Sequence, residues 1–264
     1  MNNFLPCSVL KKRAKEQLFM NLGTVIGAFL VHMLCLLPIA LVVGEVIPNN
    51  LIKVFFYLVA SIALEVYGAF FTVGESLIYL KLATGSEVGV MDLFYGFKGS
   101  MSKILGLAII PAVVLSVVEI PVILLNNVLM QVMPSNEEML KMLQFNDIQQ
   151  LYDISMKTLP INLLNLGASV LYLIIMVIVT IAFSQVYFIM LDYPEMNAME
   201  IIKYGFKIMK GSWGRYLYMM LSFIPWYILM FLTCGISYLF TYPYMRATKA
   251  NFYMDLVNKQ EGRK

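Results

Sequence analysis

The sequence predicts an all-α fold: a polytopic transmembrane helix bundle of about six spans, with short cytoplasmic interfacial helices and a parallel internal repeat. Three observations carry this. Hydrophobic residues make up 60% of the 264-residue chain and charged residues only 13%, with a mean hydropathy of +0.78. Soluble domains are about 45–50% apolar and about 25% charged. Apolar runs recur that are long enough for a hydrocarbon core needing ~20 helical residues, and the basic residues are sorted between alternate loops. Residues 1–264 read as one integral membrane domain.

The first span, 18–43, follows Lys11, Lys12, Arg13 and Lys15. A secretory leader has an apolar stretch of about 7–15 residues and a small-residue cleavage site. Leu18–Val43 is longer and runs into Gly44, Glu45 and Pro48, so it reads as a retained helix. A turn with Pro48, Asn49 and Asn50 precedes the second span, 51–80, which contains Glu65 and Glu75. Lys81 to Lys103, with Gly85, Gly89, Gly96 and Gly99, leads to the third span, 104–132. There Pro111 and Pro121 accompany Glu119; transmembrane helices tolerate proline because neighbours satisfy the freed carbonyl. Pro134 to Leu159 is the one long polar excursion, and Ser135 with Glu138 forms a capping-box pattern that predicts a short surface helix. The fourth span is 160–191. The fifth and sixth, 213–233 and 236–256, are divided by Gly235; 213–256 also reads as one kinked span or a re-entrant pair.

Charge favours six crossings. They place every Lys and Arg except Lys53, Lys141 and Lys157 on one side, and Glu45, Glu137, Glu138, Asp147 and Asp153 on the other. The positive-inside rule then puts both termini in the cytoplasm. Five crossings would export Arg246, Lys249, Lys259, Arg263 and Lys264.

The repeat rests on Tyr-Gly-Phe-Lys, at Tyr95–Lys98 and again at Tyr204–Lys207. Each copy follows a span and precedes one with an early proline, Pro111 or Pro225, giving units 51–133 and 160–257. Both units face the same way, unlike inverted transporter repeats.

Two sets of residues are candidates for function. On a helix over 197–210, Lys203, Lys207 and Lys210 share a narrow face, while Ile201, Ile202, Gly205, Ile208 and Met209 fill the rest. That pattern predicts an interfacial helix, with Lys203, Lys207, Lys210 and Arg215 toward lipid headgroups and Trp213, Tyr216 and Tyr218 in the aromatic belt. The same lysines also serve as ordinary positive-inside markers. In the second span Ser61, Glu65, Gly68, Thr72, Ser76 and Tyr79 fall within a narrow arc, with Glu75 at its edge. Hydroxyls and small residues suit helix–helix bonding, and a carboxylate at membrane depth is a functional candidate by default. The candidate polar cluster is therefore Glu65, Glu75, Glu119, Thr72, Ser76 and His32. It would line a proton or cation path, or its carboxyls would pair with tyrosine, serine or His32 and lock the bundle. No lysine or arginine is expected beside them.

His32 is the only histidine and has no second ligand near it, so no metal site is expected. Cys7, Cys35 and Cys234 are isolated and form no CxxC, and the 20 methionines are scattered as packing groups. There is no HExxH, phosphate-binding glycine loop or GxSxG. No cofactor, no nucleic acid and no enzymatic activity are expected.

Leu10-Lys-Lys-Arg-Ala-Lys-Glu-Gln-Leu18, Met209-Lys-Gly-Ser-Trp213, Leu221-Ser-Phe-Ile-Pro-Trp226 and Thr233-Cys-Gly-Ile236 resemble a bacterial integral-membrane family catalogued as domain of unknown function 975. So does Pro243-Tyr244 followed by Ala250-Asn-Phe-Tyr-Met-Asp-Leu256, across essentially the whole chain. The family often has glycine where this chain has Pro225. A distant similarity is to the membrane domain of some glycerophosphodiester phosphodiesterases, from which no catalytic site carries over. The resemblance implies a multi-pass protein of the bacterial cytoplasmic membrane, acting through lipid or protein partners, with anionic lipids among the candidates. The alternative is a small transporter or channel.

Overall fold

Asn50 starts the second helix by accepting the Lys53 backbone N–H at 2.8 Å, which satisfies one donor that the helix itself leaves open. Such caps, glycines and prolines divide the chain into helices, and among the described residues all regular structure is helical. The computed structural model describes residues 4–44, 50–99, 101–134, 136–144, 148–260 and 262. Glu45, Pro48, Asn49, Ser135, Asp147, Arg263 and Lys264 lie outside them, and with Ser135 the expected capping box.

The long elements are α1 (Cys7–Gly44), α2 (Leu51–Thr84), α4 (Met101–Val132) and α6 (Ile148–Ala182). Between α2 and α4 lie a 3-10 turn, Val90–Phe94, and the single-turn α3 (Tyr95–Lys98). The polar excursion carries α5 (Asn136–Gln144), the short helix expected there. After α6 come α7 (Val186–Asp192), α8 (Ala198–Met209), α9 (Trp213–Leu221), α10 (Ile224–Leu232) and α11 (Tyr238–Gln260). Five segments are long and apolar enough to cross a membrane: Cys7–Gly44, Leu51–Thr84, Met101–Val132, Ile148–Asp192 and Trp213–Leu232. The chain is a multi-pass membrane protein. The expected sixth span, 236–256, is a helix, but Arg246, Lys249 and Asp255 make α11 more polar than those five. Asn21 leaves helical geometry inside α1 (φ −128°, ψ 20°) and kinks it.

The chain forms two compact units. The first contains Met1–Ala40, Leu64–Pro111 and Thr180–Lys264; the second contains Leu41–Ala63 and Ala112–Val179.

In the first unit, the turn and α3 lie directly on α2. The approach is so close that a Cβ on Gly74 would stand 1.8 Å from the Leu93 carbonyl oxygen, and one on Gly96 would stand 2.2 Å from that of Phe70. Phe97 then stacks on Phe70 at 5.1 Å and meets Phe71 edge-on at 5.0 Å. Burial opposes ionisation of Asp92, but bonds from Lys81 Nζ at 2.8 Å and from the Gly89 N–H outweigh it and hold the carboxyl below the ordinary range. The glycine of the second Tyr-Gly-Phe-Lys has no such close backbone approach, since a Cβ on Gly205 would meet only side chains, at 3.4 and 3.7 Å. Gly205 is buried against Val186 and Ile189, and Phe206 meets Phe183 at 6.3 Å.

Helix α8 begins in a capping box between Asn197 and Glu200. Its apolar face, Ile201, Ile202, Gly205, Ile208 and Met209, is buried against α7 and α11. The amphipathic pattern thus comes from packing on protein, and the face expected to enter the lipid is already covered. Lys203, Lys207 and Lys210 are exposed. Helix α11 runs antiparallel to α1: Tyr238 meets Phe29, Asn251 bonds Gln17 at 2.7 Å, and the Leu5 N–H reaches Asp255 at 3.3 Å. The turn before it places Cys234 and Gly235 at positive φ, 48° and 89°. Non-glycine residues rarely adopt that region.

In the second unit, the Tyr57 hydroxyl donates to Glu119 at 3.2 Å and Asn165 donates to Asn126 at 2.8 Å.

Candidate functional site

Glu75 is 2% exposed and lies six residues before Lys81 on α2, about 9 Å along the helix axis. A carboxylate in that setting is too costly to leave unpaired, and three groups from two other helices converge on it. His32 Nδ1 of α1 stands 2.6 Å from Oε1. From α11, the Tyr242 hydroxyl donates to Oε2 at 2.6 Å and Arg246 Nη2 stands 2.8 Å from the same oxygen. Arg246 Nη2 also reaches the Thr72 carbonyl at 3.5 Å.

The surroundings come from the aromatic clusters on either side. His32 stacks on Phe71 at 5.2 Å, which joins the cluster to the Phe97 group. Phe29 packs on Tyr242 at 4.6 Å, and Tyr242 on Tyr238 at 5.4 Å. Arg246 lies within electrostatic reach of Tyr187, Tyr216 and Lys249. Gln185 is fully buried and donates to Ser184 at 3.1 Å.

The chemistry follows from this geometry. An ionised carboxylate only accepts hydrogen bonds, so the His32 proton facing it sits on Nδ1. The Glu75 carboxylate and the Arg246 guanidinium face each other as an ion pair. Both carboxylate oxygens are occupied, which ties α1, α2 and α11 together. His32 Nε2 and Arg246 Nε are buried and, among the described residues, have no hydrogen-bond partner.

Of the six polar residues singled out in the sequence, the structure brings His32 and Glu75 into direct contact. Thr72 and Ser76 lie beside them, but their hydroxyls bond back to the Gly68 and Thr72 carbonyls of their own helix, at 3.0 and 2.7 Å. They do not bridge helices. Glu65 is exposed on α2, within electrostatic reach of Tyr187. Glu119 belongs to the second unit, with Tyr57. The expectation that no arginine accompanies these carboxyls is corrected by Arg246. Arg215, expected at headgroups, is used internally: it donates to Asp255 and, at 2.8 Å, to the Leu5 carbonyl, and lies over the rings of Phe4 and Phe252.

Tyr242 and Arg246 escape a reading of the sequence for site residues. Their signal is a four-residue period, Tyr238, Tyr242 and Arg246, which one helix face must share.

A family model described as "Protein of unknown function (DUF975)" matches residues 6–260. The chain belongs to the DUF975 family. Neither a curated protein nor a solved structure matches it. The DUF975 match contains every residue of the Glu75 cluster, and the family carries no described activity to place there. Among the described residues, no group of three or more His, Cys, Asp or Glu side chains is arranged to hold a metal ion.

Proposed function

We propose that this DUF975 protein is a non-enzymatic protein of the bacterial cytoplasmic membrane that acts through protein or lipid partners, with both termini in the cytoplasm. The observation that carries this reading is the full engagement of Glu75. A carboxylate whose two oxygens accept from His32, Tyr242 and Arg246 is a tie between helices and a poor carrier. Protein reconstituted in liposomes with an internal pH dye is expected to pass protons, Na+ and K+ no faster than protein-free liposomes. A flux that wild type supports and Glu75→Gln removes would establish the transporter reading instead. That second reading draws on the buried His32 Nε2 and Arg246 Nε, which have no hydrogen-bond partner among the described residues.

Same-side termini are supported by the Leu5–Asp255 and Gln17–Asn251 bonds together with the distribution of basic residues. In a variant lacking the native cysteines, Asp153→Cys should react with an impermeant thiol reagent in intact cells. Asn258→Cys should react only in inside-out vesicles. Labelling of both from one side would overturn the orientation.

A further inference from the structure

Between α1 and the α10–α11 hairpin lies an open groove of about 240 Å³. Leu18, Phe19 and Leu22 form one wall, and Trp226 and Tyr244 the opposite one. Lys15 stands at one end, one turn ahead of Leu18 on the same helical face. We propose that this groove holds an anionic phospholipid, with an acyl chain along the apolar wall and the headgroup at Lys15.

Three observations favour that occupant. The groove wall is mainly apolar away from Lys15, and apolar surface favours hydrocarbon over water, so in a multi-pass membrane protein an acyl chain suits it. Lys15 lies where the basic segment meets the first apolar run, at the depth of a headgroup. Trp226 and Tyr244 are residue types that favour that depth.

The charge is also uncommitted. Lys11 Nζ donates to the Ser222 carbonyl at 3.0 Å and lies 4.1 Å from the Phe223 ring centroid. Lys12 stands 4.0 Å from Glu16. Lys15 is exposed and, among the described residues, has no ion-pair or hydrogen-bond partner. Cations beside a membrane attract anionic lipid through the surface potential, and Lys15 supplies one at the open end of an apolar slot.

This inference deepens the partner-binding reading by naming one partner. A chain that carried ions could still hold the lipid, so failure here and failure of the flux experiment are separate results. The test is native mass spectrometry of protein released from nanodiscs of phosphatidylcholine and phosphatidylglycerol in equal amounts. Wild type should retain phosphatidylglycerol at least fivefold over phosphatidylcholine, and inorganic phosphate should not displace it. Lys15→Glu should bring the ratio near one with unchanged melting temperature, while Lys12→Glu leaves the ratio as it was. Leu22→Trp, which fills the groove, should lower retention of both lipids. Equal retention by wild type, or a preference that survives Lys15→Glu, would overturn the proposal. So would displacement by phosphate, or a lipid-free dimer that Leu22→Trp dissociates, which would place a second copy in the groove.

Discussion

Replacing Arg246 with alanine is expected to destabilise the protein by about 3–5 kcal/mol, the usual cost of removing one partner of a buried ion pair. The loss exceeds that of one hydrogen bond because Glu75 stays behind, 2% exposed, with its charge uncompensated. His32 and Tyr242 would still hold its two oxygens, but neither need carry a charge. Urea unfolding in mixed micelles measures the change. The double variant Glu75→Gln, Arg246→Ala removes both charges and should be more stable than the sum of the single losses allows, by about 0.5–3 kcal/mol. Strictly additive losses would show that the two side chains do not act as a pair.

Gly74→Ala is the second large effect. The atoms a new Cβ would meet are the Leu93 O, C and Cα, at 1.8, 2.4 and 2.7 Å, all of them backbone. No rotamer can relieve that overlap, so the 3-10 turn must lift off α2. The expected cost is at or above the top of the ~1–3 kcal/mol range for overpacked cores. Gly23 in α1 is the control: a Cβ there meets nothing within 4 Å. Alanine at that position should be neutral or gain about 0.5–1 kcal/mol through helix propensity. Similar melting shifts for the two variants would sink the steric argument.

The spans could be read from the sequence because apolar length and the sorting of lysine and arginine are written locally. Family membership could be read for the same reason. Glu75 could be singled out as costly, and a histidine or tyrosine partner for it was among the readings the sequence allowed. Arg246 could not be assigned to it, because positive-inside logic counts every arginine near a span end as a topology marker. Tertiary approach decides otherwise, since α11 returns along α1. The hydroxyl stripe on α2 failed for a different reason. Serine and threonine in a helix can satisfy themselves on the carbonyl four residues earlier, so spacing alone does not reveal whether they bridge. The apolar face of α8 is a third case: lipid and protein select the same residues, and only the presence of α7 and α11 distinguishes them.

The order of synthesis gives the Glu75 cluster a time axis. Tyr242 follows Glu75 by 167 residues, which a ribosome takes about 10–30 s to add. Through that interval the carboxyl has His32, made before it, but neither the phenol nor the guanidinium that completes its shell. The nascent chain must therefore keep Glu75 protonated, or hydrated near the bilayer edge, until α11 emerges. Helix α11, made after α1 and α2, closes their polar centre, so the first unit is assembled only once α11 has been made.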